Sequence, residues 1–142
     1  MEIKNKKAYF NYFIEQELEA GIALVGTEIK SVRKGSLDLS DAYIRIKNNE
    51  AFIVNMFIDQ YNEASIFNHN TTRERKLLLH KKEIKKLEEL KSKDGYTIIP
   101  LKIYLHDGKV KVLVGVARGK KLYDKRESIK KKDLERAEKR KW

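Results

Sequence analysis

A mainly β chain, antiparallel and closed into a small barrel with about three helices around it, is the fold class this sequence predicts. Three observations carry that expectation. Two tight-turn dipeptides, Asn48-Asn49 and Asp107-Gly108, each sit between stretches of alternating apolar and polar residues, the pattern of a half-buried hairpin. A single long stretch, residues 81–93, keeps a helical stripe of Ile84, Leu87 and Leu90. The hairpins are not linked by the strand–helix–strand units that parallel sheets require.

The elements follow in order. Residues 9–24 are rich in aromatic and aliphatic side chains, and read as a strand bent near Gly21. Thr27 is placed to cap a short helix whose Ile29 and Val32 share a face, with Gly35 to end it. Residues 41–47 alternate around Ile44 and Ile46, turn at Asn48-Asn49, and return over 51–58. Residues 61–72 are polar and read as a loop, after which Leu77-Leu78-Leu79 leads into the long helix, stopped by Gly95. Residues 96–105 alternate again. Asp107-Gly108 turns the chain, and 109–117 answer with Val110, Val112, Val114 and Val116 on one face. Pro100 falls inside the first of these strands, where it fits only an edge or a bulge. Five or six strands with one inserted helix suggest a barrel of the OB type, a frequent nucleic-acid platform.

Charge divides the chain. Of 142 residues, 32 are Lys or Arg and 21 Asp or Glu, a net of +11. Residues 118–142 alone carry +7, on a stretch too poor in apolar residues to build a core. We therefore divide the chain into a barrel domain over 1–118 and a basic C-terminal tail over 119–142. Such a tail is expected to stay disordered until a polyanion organises it. The absence of cysteine removes disulfides, thiolate metal sites and cysteine nucleophiles. No apolar run approaches the roughly 20 residues of a membrane span, and a soluble cytoplasmic protein is the expectation.

Chemistry-bearing residues are sparse. His69, His80 and His106 lack metal-ligand spacing and read as surface histidines. No phosphate loop, general base or nucleophile stands out, so we expect neither an enzyme, a cofactor nor a metal. Binding has more support. Asn5-Lys6-Lys7 is one basic cluster, Arg73, Arg75 and Lys76 a second, and Gly119-Lys120-Lys121 with Asp124-Lys125-Arg126 a third. Element ends and loops are where phosphate contacts usually sit. Tyr123 lies between two basic triplets, placed either to stack on an unpaired base or to fold back on the barrel. Glu19, before Ala20-Gly21, is either an ordinary exposed strand residue or an acceptor for a base amino group or ribose hydroxyl.

Five motifs in one order add a resemblance. Asn5-Lys6-Lys7-Ala8, Glu19-Ala20-Gly21-Ile22, Gly26-Thr27-Glu28-Ile29-Lys30-Ser31, Arg75-Lys76-Leu77-Leu78-Leu79, and Gly119-Lys120-Lys121 followed by Asp124-Lys125-Arg126 resemble the SmpB family. That is small protein B, the tmRNA-binding factor of bacterial trans-translation, and the likeness runs from residue 5 to about 132. It implies an OB-type barrel that binds the tRNA-like domain of tmRNA and brings alanyl-tmRNA, with elongation factor Tu, to stalled ribosomes. The tail would become helical on the ribosome, probing the decoding centre and the empty mRNA channel. By motif, the tmRNA-facing set is Asn5, Lys6, Lys7, Glu19, Lys76, Leu78, Gly119, Lys120 and Lys121. The tail residues facing small-subunit ribosomal RNA in the A site are Tyr123, Asp124, Lys125, Arg126, Lys130, Lys131 and Lys132. Charge and barrel pattern alone also suit a general OB-type, ribosome-associated RNA-binding protein.

Overall fold

The computed structural model describes residues 2–61 and 68–120. In chain order its elements are β1 (Glu2–Lys4), α1 (Lys6–Asn11), β2 (Tyr12–Ile22), α2 (Gly26–Arg33), β3 (Leu37–Asp38), β4 (Tyr43–Lys47), β5 (Glu50–Val54), β6 (Phe57–Ile58), β7 (Arg75–Leu78), α3 (Lys81–Asp94), β8 (Thr97–His106) and β9 (Lys109–Gly119). Every strand pairing is antiparallel, as expected. Seven strands form one sheet in the order β1-β8-β9-β2-β7-β5-β4, and β3 pairs separately with β6. Strand β4 comes round against β8 without a ladder between them, so the sheet curls into a partly open barrel.

Both hairpin turns stand where the sequence puts them. Asn48 and Asn49 have φ of 53° and 63°, and Asp107 and Gly108 have 54° and 76°. This paired left-handed geometry matches strand twist, and Asn, Asp and Gly tolerate it best. Helix α3 ends on Gly95 at φ 70°. Pro100 sits at a shift of register between β8 and β9, the bulge that its missing N–H requires.

Alternation fills the core. Val112, Val114 and Val116 face inward with Ala20, Ile22, Ile44, Ile53 and Leu77, and Val32 of α2 and Ile84 and Leu87 of α3 pack with them. A smaller cluster of Ala8, Ile99, Leu101 and Ala117 includes α1. A β-carbon on Gly115 would stand 2.7 Å from Leu101 Cδ1, so any larger residue there would push the Leu101 side chain aside.

The structure corrects several expectations. Residues 9–11 are helical, the last turn of α1, and the strand begins only at Tyr12. The cause is Asn5, whose Oδ1 accepts the Ala8 N–H at 3.1 Å while its amide donates to the Pro100 and Leu39 carbonyls at 2.9 and 3.2 Å. A local cap thus overrides an aromatic-rich strand pattern. Thr27 does not cap α2. Val25 holds that position, its N–H bound by Glu28 Oε1 at 3.0 Å, and the Thr27 hydroxyl instead meets His69 Nδ1 at 2.9 Å. His69 is buried, with Nε2 2.9 Å from the Ile58 carbonyl, so it is not a surface histidine. Strand β5 does not run on to residue 58: Asn55 takes φ 64° and breaks it, freeing β6 to pair with β3. Short strands of two or three residues raise the count above five or six, being too brief for alternation to show.

Candidate nucleic-acid interface

Three residues of the expected RNA-facing set converge on one groove. The register places Gly21 of β2 opposite Leu78 of β7 on one side and Lys111 of β9 on the other. Residues of β7 alternate, with Arg75 and Leu77 inward and Lys76 and Leu78 outward. Glu19, Gly21, Lys76, Leu78 and Lys111 consequently line a groove of about 520 Å³, together with His80 and Lys81 at the start of α3. A β-carbon on Gly21 would lie 3.2 Å from Leu78 Cβ. The missing side chain leaves room for Leu78 to stand out, 55% exposed. Leu78 is a ridge, because beyond it lies a second groove of about 510 Å³, lined by Ile29, Arg33, Lys109 and Lys111.

The charges here are only partly committed. Lys76 reaches Glu50 at 3.0 Å with both side chains about half exposed, a pairing worth roughly 0–1 kcal/mol and readily exchanged for phosphate. Glu19 accepts a hydrogen bond from the Tyr104 hydroxyl, and His106 Nδ1 stands 3.7 Å from the same Glu19 oxygen. Burial, reinforced by the Glu19 carboxylate, pushes the Tyr104 hydroxyl up to about 12; it stays a donor across physiological pH. Cations for phosphate, an apolar ridge for a sugar or base face, and one carboxylate for a donor group are the parts of a polynucleotide contact.

A second group gathers at the other end of β2. Gly119 pairs with Tyr12, and the Lys120 ammonium lies 5.1 Å over the Phe13 ring. Lys6 and Lys7 project from α1 into solvent, Lys7 reaching Asp41 at 3.3 Å. Tyr12 and Glu19 lie seven steps apart along β2, roughly 23 Å at about 3.3 Å per residue. Asn5 belongs to this end but is 4% exposed, its side chain spent on capping α1 and on the carbonyls of Leu39 and of Pro100 in β8. Lys121, Tyr123, Asp124, Lys125, Arg126 and Lys130–Lys132 lie outside the described residues.

The second basic cluster does not survive as a surface patch. Arg75 is fully buried, its Nε 2.7 Å from Glu28 Oε2 and its Nη1 2.6 Å from the Met56 carbonyl. Arg73 grips the same carboxylate through Nη2 at 2.5 Å and Nε at 3.2 Å. Burial pushes the Glu28 carboxyl up, but Arg73, the Val25 N–H and Arg75 together hold it below its usual value. Only Lys76 of that cluster faces the groove. Conversely, Lys111 and Tyr104 were not singled out from the sequence. The signal for Lys111 was present, since it lies between Val110 and Val112 on the face opposite the valines.

Comparison with known proteins follows this geometry. The family described as SmpB protein matches residues 2–142. The SsrA-binding protein of Clostridium beijerinckii is 54% identical over 142 residues, covering 97% of this chain and 91% of the relative. That of Caldicellulosiruptor bescii is 56% identical over 131 residues, covering 92% and 83%. Among solved structures, a chain described under "tmRNA-SmpB: a journey to the center of the bacterial ribosome" superposes with a TM-score of 0.73 at 41% identity, covering 90% of this chain and 94% of that one.

Proposed function

Because the chain belongs to the SmpB protein family, we propose that it binds the tRNA-like domain of tmRNA and accompanies it to stalled ribosomes in trans-translation. The observation that carries the reading is the convergence of Glu19, Lys76 and Leu78, distant in sequence, on one groove. In it, Lys76 and Lys111 meet phosphates, Leu78 packs on a sugar or base face, and Glu19 accepts from a donor group. Lys6, Lys7, Gly119, Lys120 and Lys121 extend the contact along the backbone of the same RNA, with Asn5 acting from within by capping the helix that carries Lys6 and Lys7.

The tail is assigned to the ribosome. Tyr123 stacks on a base of small-subunit RNA, while Asp124, Lys125, Arg126 and Lys130–Lys132 follow its backbone. The protein acts in the cytoplasm as an RNA-binding factor, with no chemistry of its own. Gel-shift titration tests the reading: the full chain should bind the tRNA-like domain of tmRNA far more tightly than ordinary tRNA. Equal affinity for the two would leave only a general RNA-binding protein.

A further inference from the structure

Glu19 is held before anything binds, and by a group that does not line the groove. It projects from β2, and the group holding it comes from β8, 85 residues away, across the intervening β9. Register places Tyr104 beside Lys111 and Lys111 beside Gly21, so the phenol reaches over β9 toward the carboxylate two residues before that glycine. Both neighbours, the Tyr104 hydroxyl and His106 Nδ1, approach the same oxygen, Oε2. Among the described residues no hydrogen bond reaches Oε1. The side chain is 41% exposed and would otherwise sample several rotamers, whose freezing opposes binding.

We infer that Tyr104 is a positioning residue for RNA recognition, its hydroxyl fixing Glu19 so that Oε1 faces the groove and accepts a hydrogen bond from the RNA. This rests on the groove being the tmRNA site. A carboxylate held among Lys76 and Lys111 repels phosphate and selects a neutral donor, either a base amino group or a ribose hydroxyl. Specificity follows: phosphates go to the lysines, and the fixed acceptor tests whether a donor stands at one place between them. Lys102 lies 5.8 Å over the Tyr104 ring, a contact that phenylalanine would keep, so Tyr104→Phe removes the hydroxyl alone.

The test is a double-mutant cycle on binding to the tRNA-like domain, using the full chain with Tyr104→Phe, Glu19→Ala and both together. Tyr104→Phe should weaken binding about 3- to 10-fold, the effect of one net hydrogen bond, with unfolding temperature and salt slope unchanged. In the Glu19→Ala background it should cost little more, because the acceptor it positions is gone. A cycle with additive penalties, or Tyr104→Phe binding as the wild type does, overturns the inference while leaving the function intact. Wild-type protein that fails to prefer the tRNA-like domain overturns both. Repeating the cycle on RNA carrying 2′-deoxynucleotides at each position that the protein shields in a footprinting experiment separates a ribose donor, whose loss abolishes the coupling, from a base amino group, which keeps it.

Discussion

Two glutamates, Glu28 and Glu19, both accept hydrogen bonds from side chains distant in sequence, and do opposite things. Glu28 is fully buried, and both its oxygens are filled by Arg73, Arg75 and the Val25 N–H. Glu19 is half exposed and lines a groove with Lys76 and Lys111, and the Tyr104 hydroxyl and His106 approach only its Oε2. The difference is completeness of pairing. A charge whose every partner comes from the chain itself stitches α2 to β7 and has nothing left for a ligand. A charge that the protein half satisfies is available, and its neighbours stay exchangeable because water screens them.

Removing a partner from the buried node should give the largest effect. Arg75→Ala leaves the buried Glu28 carboxylate with only Arg73 and the Val25 N–H and deprives the Met56 carbonyl of its donor, and breaking a buried pair in this way costs about 3–5 kcal/mol. Denaturant titration should show that loss, whereas Glu19→Gln should stay within about 0.5 kcal/mol of the wild type, as surface changes usually do. Equal stabilities for the two variants would erase the distinction between the sites.

That distinction explains how far the sequence could be read. Hairpins at Asn48-Asn49 and Asp107-Gly108, helix α3 and the valine face were legible because each is set within a few residues, by turn chemistry or by periodicity. Asn5 was not recognised as a cap, since its effect depends on carbonyls at Leu39 and Pro100 as well as on Ala8 nearby. Arg75 read as a surface cation because composition places arginine outside. Its partner Glu28 lies 47 residues away, a distance no local pattern spans. Of the groove, Glu19, Lys76 and Leu78 were recognised by motif, and the fold adds what motif could not supply: their shared wall, and the Lys111 and Tyr104 that complete it.

Acid gives a smaller, graded version of the first contrast. The folded Glu28 carboxyl is held below its ordinary value of 4.5, so the folded state binds its proton less readily than the unfolded chain does. Its contribution to stability is therefore complete above about pH 4.5, and is lost as pH falls below that through the folded value. Stability measured from pH 6 down to pH 3 should drop more steeply for the wild type than for Glu28→Gln, which has no such proton to take up. Parallel curves would show that the node's charge contributes nothing.

Smallest in energy, yet nearest to function, is the response of a single groove lysine to salt. Binding of the tRNA-like domain should be titrated for the wild type and for Lys76→Ala over a range of salt concentrations, alongside the unfolding temperature of each. A phosphate contact made by Lys76 requires the log–log slope to flatten by about 0.7–0.9 in the variant, with unfolding temperature unchanged. Identical slopes would place Lys76 away from the RNA, and a fallen unfolding temperature would make it one more structural charge; either result contradicts the division between committed and available charge proposed for this molecule.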